Sequence, residues 1–349
     1  MILEVKFLNL IKKIYSHNVF IIALIILITA TVIFLNVKKP YVHNFQGEIM
    51  GTTYKVLIAE KLPASLNQAY LFKLLNEVDQ EMSTYIPSSS LNKLNSYSVD
   101  NWLKVSSDLI KILNYSQQLC LKSGGAFNVA VGNLVNSWGF GPSYLKNLNK
   151  TNNGISYQEI SCNSIDIDLS TNSVRKIDDV FLDLSAIAKG FAVDLVANHL
   201  LKLGVNNFLI EVGGEIRASG EKSNEPWNVG IENPFDSKKP FLVIKTKQFN
   251  NFAMATSGNY KNFQIINNER ITHTFDPRTG KSINSNVLSV SVINKDAMVA
   301  DALATTLLVL GLKEGLEFSE ENQLQAIFIF SDKNKLRYKT SSNYSKRLE

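Results

Sequence analysis

The chain has 349 residues, 45% of them hydrophobic and 19% charged, and its 36 basic and 31 acidic residues give a net charge of +5. A chain of this length and composition can bury a large core, which predicts a globular protein with one big domain or two. The basic residues are scattered, without an arginine-rich helix or a basic run interleaved with aromatics, and this excludes the usual patterns of nucleic-acid binding. We expect no nucleic-acid partner.

An apolar segment of seventeen uncharged residues, 19–35, lies near the N-terminus. At about 1.5 Å per residue it would cross most of a ~30 Å hydrocarbon layer, which predicts a transmembrane anchor between a short cytoplasmic N-terminus, 1–18, and a linker, 36–44. A cleaved signal peptide is the alternative, but the run is long for one and no A-x-A-like site follows. Lysines on both sides slightly favour a cytoplasmic N-terminus. We therefore expect a single-pass protein of the cell inner membrane with its main domain on the periplasmic side.

Beyond the linker, the spacing of apolar residues predicts strands and helices in succession. We expect a strand pair over 45–59, helices over 66–82 and 108–122, a buried strand over 180–184, a helix ended by Gly204, strands over 207–212, 227–232 and 241–246, and a helix over 297–310 closed by Gly311. The polar residues 143–161 predict a surface loop. The strand over 180–184, the helix after it and the strand over 207–212 would form a strand-helix-strand unit.

The turn between the strand over 180–184 and the next helix is a candidate anion site. Backbone N–H groups at a helix N-terminus are unpaired and carry partial positive charge, so a phosphate can bind there. Lys189 adds a full positive charge at this point.

Asp301 and Thr305 are one turn apart on one face of the predicted helix over 297–310. A carboxylate and a hydroxyl so placed offer two hard oxygen ligands to Mg²⁺, which usually keeps waters and takes further ligands from substrate phosphates. The alternative is an ordinary buried helix in which the aspartate caps or pairs and the threonine bonds to its own turn.

Small residues and aromatics occur together over 125–132 and 138–141. This pattern suits backbone that lines a flat ligand, and it suits an aromatic corner of the core equally well. The run over 273–280, His-Thr-Phe-Asp-Pro-Arg-Thr-Gly, predicts a rigid turn, which accounts for Asp-Pro and Gly but not for His273.

The two cysteines, Cys120 and Cys162, lack metal-ligand spacing. They could form one disulfide if the domain is exported. A buried free thiol at Cys120 is at least as compatible with its position on the apolar stripe of a helix.

Taken together, these stretches resemble the ApbE family, the FAD:protein FMN transferases. The resemblance covers roughly residues 45–316, and its motifs occur in family order. They are Met50-Gly51-Thr52-Thr53-Tyr54, Met82-Ser83-Thr84-Tyr85, Gly125-Ala126-Phe127, Asp183 to Gly190, Val212-Gly213-Gly214-Glu215, Thr256-Ser257-Gly258, His273 to Gly280 and Ala300 to Thr305.

The resemblance implies a single α+β domain over 45–335, made of mixed β-sheets packed with α-helices and followed by a C-terminal tail, 336–349. It implies FAD as substrate, contacted by Met50, Tyr85, Ala126, Phe127, Asn128, Asp183, Lys189 and Phe275. It also implies Mg²⁺ held by the backbone carbonyl of Ala186 and the side chains of Asp301 and Thr305, with His273 as the proton acceptor.

The chain departs from the family pattern at three points. Asn128 takes the place of the usual Asp, and Val129 that of the Pro that commonly follows. Ala186 replaces a frequent Gly, which a ligand that uses its backbone carbonyl tolerates. Many family members are lipoproteins, whereas no cysteine lies near the apolar segment of this chain.

Family and residue chemistry lead to one mechanism. A threonine or serine hydroxyl of an acceptor protein, deprotonated by His273, attacks the FMN-side phosphorus of FAD and expels AMP, while Mg²⁺ offsets charge on the pyrophosphate. By family resemblance, the acceptor would be a subunit of a sodium-pumping NADH:quinone reductase or of an RNF-type electron-transport complex. The alternatives are an FAD pyrophosphatase that yields FMN and AMP, and a non-catalytic exported flavin-binding protein, against which the intact Asp301, Thr305 and His273 argue.

Overall fold

One eight-stranded sheet, with helices against one of its faces, organises the domain. We describe it from a computed structural model, which covers residues 42–142, 159–249, 251–261, 263–266 and 268–345, together with Ile22 and Thr29. Its strands are β1 (His43–Ile49), β2 (Thr52–Ile58), β3 (Leu103–Lys104), β4 (Ile165–Asp168), β5 (Ser173–Lys176), β6 (Phe208–Val212), β7 (Glu215–Ser219), β8 (Glu221–Lys222), β9 (Glu225–Pro226), β10 (Asn228–Asn233), β11 (Asp236–Lys245), β12 (Phe252–Gly258), β13 (Phe263–Ile266), β14 (Glu269–Thr272), β15 (Phe275–Asp276), β16 (Lys281–Ser282), β17 (Val287–Asn294), β18 (Gln325–Asp332) and β19 (Lys335–Thr340). Its helices are α1 (Gln68–Met82), α2 (Ser90–Ser96), α3 (Ser107–Lys122), α4 (Gly132–Ser137), α5 (Ala188–Lys202), α6 (Ala297–Glu321) and α7 (Ser342–Ser345).

The main sheet has the strand order β1-β2-β6-β7-β12-β17-β18-β19, and its neighbouring strands are antiparallel. The one parallel contact among the described residues is the isolated bridge between Val131 and Phe181. The predicted single α+β domain of sheets packed with helices is therefore confirmed.

Both faces of the sheet are apolar, because alternate residues of a strand point to opposite sides. On β18, Ala326 and Phe328 belong to the core that the helices cover. Ile327 and Ile329 belong to a second core, which includes residues of the β10–β11 hairpin such as Ile231. The helices and the β10–β11 hairpin thus lie on opposite faces.

The two helices that matter most for the site, α5 and α6, are joined by Asp194. Its carboxylate accepts hydrogen bonds from the backbone N–H groups of Ala297, at 3.0 Å, and Met298, at 2.9 Å, which begin α6. Arg217 on β7 completes the arrangement, with Nη1 2.7 Å from Asp194 Oδ1. A residue of α5 therefore provides the acceptors that the free N–H groups of α6 require.

Residues 180–184 are not a strand, so the predicted strand-helix-strand unit is wrong. Leu182 and Leu184 are fully buried, as expected, but their segment joins no sheet. The Asn95 side chain binds both backbone groups of Leu182, accepting from its N–H at 2.7 Å and donating to its carbonyl at 3.0 Å. Asn95 thus satisfies the backbone of Leu182, while the Phe181 carbonyl and the Asp183 N–H bond to Gly132 and Val129 around an isolated bridge rather than within a sheet.

The helical run that begins at Ala297 ends at Gly311, as predicted, and a second helical run follows within α6. Gly311 has non-helical angles, φ 72° and ψ −168°, and the helix resumes after this kink and continues to Glu321. Glycine allows the positive φ that ends the first run at this break.

Cys120 and Cys162 form a disulfide with a Cα–Cα distance of 5.6 Å. Of the two possibilities that the sequence left open, the structure has the paired one. The bond ties α3 to the segment before β4.

The predicted anchor, 19–35, and most of the predicted loop, 143–161, lie outside the described residues. Within the described part of the chain, no helix has the length and apolar character needed to cross a membrane. At the other end, β19 pairs with β18 in the main sheet, so the domain extends past the boundary predicted at residue 335.

Candidate active site

The turn that precedes α5 places charged side chains at the start of the helix. Asp183 Oδ1 accepts hydrogen bonds from the backbone N–H of Ser185 at 2.8 Å and from its Oγ at 2.5 Å, which fixes the turn that contains Ala186. Lys189, in the first turn of α5, donates from Nζ to the Ser185 carbonyl at 3.1 Å. A full positive charge therefore lies at the positive end of a helix dipole, as an anion site requires.

Asp301 lies on α6 directly beside this turn. The two helices touch at Gly190, where a β-carbon would be 2.3 Å from the Ala297 carbonyl oxygen and 2.8 Å from Asp301 Cβ. Because glycine leaves that space free, the Gly190 N–H donates to Asp301 Oδ2 at 3.0 Å, although the two residues are 111 positions apart. One turn later on α6, Thr305 Oγ1 is 2.8 Å from Ser257 Oγ on β12.

Glu215, to which sequence reasoning gave no role, belongs to the same cluster. It is the first residue of β7 and is 2% exposed. Its Oε1 lies 3.8 Å from Lys189 Nζ, and its Oε2 is buried without a hydrogen-bond partner among the described residues. The sequence signal for Glu215 was its position directly after Gly213 and Gly214, which end an apolar strand. A glutamate buried at such a position almost always has a charged or polar partner, and this predicts a partner from another element.

Burial and charge oppose each other in this cluster. Burial raises the pKa of Asp301, and the charge of Lys189 and the N–H of Gly190 oppose the rise. Burial also raises the pKa of Glu215 well above its ordinary value, with Lys189 opposing and Asp301 reinforcing the rise. Burial acts to lower the pKa of Lys189, but the charges of Glu215, Asp301 and Asp183 outweigh it and raise that pKa. One ammonium thus faces three carboxyl groups.

The ligand types in this cluster fit Mg²⁺. In the part of the chain that the structure describes, no group of three or more His, Cys, Asp or Glu side chains could hold a metal ion. The predicted set is instead one carboxylate, one hydroxyl and one backbone carbonyl, from Asp301, Thr305 and Ala186. These are hard oxygens of the kind that Mg²⁺ binds while it keeps water and phosphate ligands. The excess of negative charge and the unpaired Glu215 Oε2 are what such a cation would offset.

An aromatic group lies beside His273. The ring of Phe140 lies 6.4 Å from the His273 ring and 6.0 Å from the ring of Phe275. Trp138 stacks on the other side of this group, 6.0 Å from Phe275. The Phe140 ring is tilted 56° from His273 and 64° from Phe275, so these rings form an angled aromatic wall, which suits contact with an aromatic ligand.

Tyr85 links this aromatic group to the charged cluster. Its hydroxyl donates to the Phe140 carbonyl at 2.9 Å, while 59% of the residue is exposed. Partial burial of the hydroxyl, and then the negative charge of Asp183, raise the pKa of the phenol. Tyr85 is therefore close both to the wall beside His273 and to the turn before α5.

The residues after α3 differ in how accessible they are. Ala126 is 1% exposed and packs with Ile283 and with Val309, which lies one turn after Thr305 on α6. Phe127 is 2% exposed and belongs to the main core. The two residues are therefore part of the packed interior, and their contacts with FAD stay predictions.

The Asn128 side chain bonds to its own surroundings. Its Nδ2 donates to the Ile160 carbonyl at 3.0 Å, and its Oδ1 accepts from the Ala130 N–H at 2.9 Å. The next residue, Val129, accepts a 2.7 Å hydrogen bond from the Asp183 N–H through its carbonyl. Asn128 thus supports the loop beside Asp183, and its contact with FAD stays a prediction.

Met50 occupies the two-residue turn between β1 and β2, with φ 50°. Two positions later, Thr52 Cγ2 lies 2.9 Å from where a β-carbon of Gly213 would be, and Lys189 Cδ lies 3.1 Å from the same point. Met50 is therefore two residues from Thr52, which packs near Lys189. Of the predicted site residues, those of the charged cluster and the aromatic group are brought together most clearly.

Comparisons with known proteins agree with this arrangement. The model of the ApbE family matches residues 50–328. The chain is 33% identical over 307 residues to the FAD:protein FMN transferase of Vibrio cholerae, covering 86% of this chain and 91% of the relative. It is 34% identical over 323 residues to the protein of that name in Haemophilus influenzae, covering 89% and 93%. The solved structure of the flavin transferase ApbE from Vibrio cholerae superimposes with a TM-score of 0.75 at 32% identity, covering 88% of this chain and 99% of that one.

Proposed function

The chain belongs to the ApbE family, and from this membership and the site geometry we propose that it transfers FMN from FAD to a threonine or serine hydroxyl of an acceptor protein and releases AMP. The enzyme is a transferase of the FAD:protein FMN type, as its curated relatives are named. The observation that carries the proposal is the 3.0 Å hydrogen bond between Gly190 and Asp301, which joins a helix N-terminus suited to a pyrophosphate to residues suited to Mg²⁺.

In the proposed reaction, the charged cluster binds and orients the pyrophosphate of FAD. Lys189 contacts its oxygens, and the positive end of the α5 dipole adds to the attraction. Asp301, Thr305 and the Ala186 carbonyl would hold Mg²⁺, which offsets phosphate charge and fixes the geometry of displacement. The wall of Phe140 and Phe275 orients the flavin ring.

His273 would accept the proton of the incoming hydroxyl. The hydroxyl oxygen forms a bond to the FMN-side phosphorus, the bond from that phosphorus to the bridging oxygen breaks, and AMP leaves with that oxygen. The ordinary pKa of an imidazole, near 6.5, suits a general base at neutral pH. His273 follows the end of β14 and precedes the Asp-Pro turn, so its backbone is held on both sides.

We also propose that the segment 19–35 anchors the enzyme in the inner membrane with the domain on the periplasmic side. The disulfide between Cys120 and Cys162 supports this location, because such bonds persist in oxidising compartments. The proposed acceptors are then membrane subunits of a sodium-pumping NADH:quinone reductase or an RNF-type complex. Protease added to spheroplasts should digest the domain; a protected domain would refute this topology.

The decisive experiment mixes the purified chain with FAD, Mg²⁺ and the domain of a quinone-reductase subunit that carries the acceptor threonine. Transfer adds the mass of an FMN phosphoester to the acceptor and releases one AMP per modified protein. AMP and free FMN without a mass change would instead identify a pyrophosphatase. Binding of FAD without cleavage would identify a flavin-binding protein.

A further inference from the structure

Glu215 reaches the charged cluster through a tight hairpin. Gly213 and Gly214 connect β6 to β7 with φ 62° and 106°, angles that residues with a side chain rarely adopt. A β-carbon on Gly213 would also lie 3.1 Å from Lys189 Cδ. The aliphatic part of Lys189 therefore runs along this hairpin, and the next side chain of the hairpin to meet its ammonium is Glu215.

Three carboxyl groups act on Lys189, and those of Glu215 and Asp301 act more strongly than that of Asp183. Its Nζ donates to the Ser185 carbonyl at 3.1 Å and lies 3.8 Å from Glu215 Oε1. Asp301, whose charge also acts on Lys189, uses Oδ2 to accept from the Gly190 N–H. If Glu215 were neutral, the buried carboxylate of Asp301 would be the stronger of the two attractions left for this partly buried ammonium.

We propose that Glu215 is a positioning residue for Lys189. Its carboxylate holds the ammonium at the N-terminal end of α5, where FAD pyrophosphate is proposed to bind, and away from Asp301, which thereby stays available to a divalent cation. The inference rests on the proposed function. It gives the Gly213-Gly214-Glu215 motif a physical role: the glycines make the turn, and the glutamate holds the lysine.

If Glu215 acted only through its charge, its neutralisation would change FAD affinity in the direction opposite to that expected for a positioning residue. The ammonium of Lys189, 3.8 Å away, favours the ionised form of Glu215 against the effect of burial. Neutralising this carboxylate would by itself reduce repulsion and tighten the binding of the anionic pyrophosphate. Loss of a positioned Lys189 would instead weaken FAD binding roughly tenfold, the value of one hydrogen bond from a charged group. The direction of the change therefore separates the two roles.

The experiment is a titration of FAD, by flavin fluorescence, into the full chain with Mg²⁺ and without acceptor. Glu215→Gln should bind FAD about tenfold more weakly than the unaltered chain. In a Lys189→Met background, the same change should produce no further weakening, because its target is gone. The matched control is Glu211→Gln, a half-buried carboxylate on the same hairpin whose Oε1 accepts from the Gly214 N–H at 2.8 Å. It should leave FAD affinity unchanged or slightly tighter.

A further variant guards against misfolding. Glu215→Asp keeps the charge but withdraws the carboxylate by one methylene, so it should weaken FAD binding as well, with a normal circular dichroism melt. FAD affinity equal to or tighter than that of the unaltered chain in Glu215→Gln, or equal weakening with and without Lys189, would overturn the positioning role. Failure of the unaltered chain to bind or transfer FMN would overturn the proposed function, and this proposal with it.

Discussion

Replacing Gly190 with alanine tests the contact on which the site depends. Helix propensity alone favours alanine by about 1 kcal/mol. The new methyl group, however, would lie 2.3 Å from the Ala297 carbonyl oxygen, so the helices must separate by about 1 Å to reach normal contact. Such overpacking costs about 1–3 kcal/mol, and the 3.0 Å hydrogen bond to Asp301, worth about 1.5–3 kcal/mol because its acceptor is charged, would break. The clash and the lost bond outweigh propensity, leaving a net loss of about 3 kcal/mol.

Two measurements check this result. For a domain of about 300 residues, a loss of 3 kcal/mol lowers Tm by about 5 °C. The variant should also lose the Mg²⁺ dependence of FAD binding, since Asp301 moves away from α5. The control is Gly315→Ala, also on α6, where the new methyl group would lie 2.9 Å from the buried Phe328 ring and 3.1 Å from the Leu307 carbonyl oxygen. It should lower Tm without changing FAD binding. A Gly190→Ala protein with unchanged Tm and unchanged Mg²⁺-dependent binding would refute the reasoning.

Three other changes have defined outcomes. Asp301→Ala should abolish FAD cleavage while the fold is retained, because pyrophosphate charge is left uncompensated; full AMP release in this variant would remove the metal assignment. His273→Ala should bind FAD normally but modify the acceptor about 10²- to 10⁴-fold more slowly, and unchanged flavinylation would place the proton acceptor elsewhere. Changing both Cys120 and Cys162 to serine should lower the free energy of unfolding in urea by about 4 kcal/mol, since the bond spans a sequence separation of 42; an unchanged midpoint and slope would contradict this.

Periodic elements were predicted well and segments that depend on side-chain partners were not. The helix predicted over 108–122 spans Ser107–Lys122, because its apolar stripe and its turn residues agree. Residues 180–184 have the composition of a strand, yet the Asn95 amide takes the role of a neighbouring strand. Nothing in the local sequence connects Asn95 to Leu182, which is 87 positions away.

The site shows the same division. Lys189 and Asp301 could be identified from motifs, because each has a chemistry that its local structure explains. Lys189 and Asp301 lie close together because Gly190 has no side chain and because Asp194 bonds to the start of α6. Both are contacts between elements that are distant in sequence, so the local sequence does not reveal them. Glu215 went unassigned for a related reason, because its role depends on a lysine from another element.

The main sheet separates the charged cluster on one of its faces from the β10–β11 hairpin on the other. The charged cluster is built on the helix-covered face, whereas the β10–β11 hairpin packs on the other. The short connection of that hairpin, between Asn233 and Asp236, includes the exposed Phe235. A fluorophore or an immobilising tag inserted there would sit behind the sheet. The enzyme could then be fixed to a surface with its catalytic face turned towards a large protein substrate.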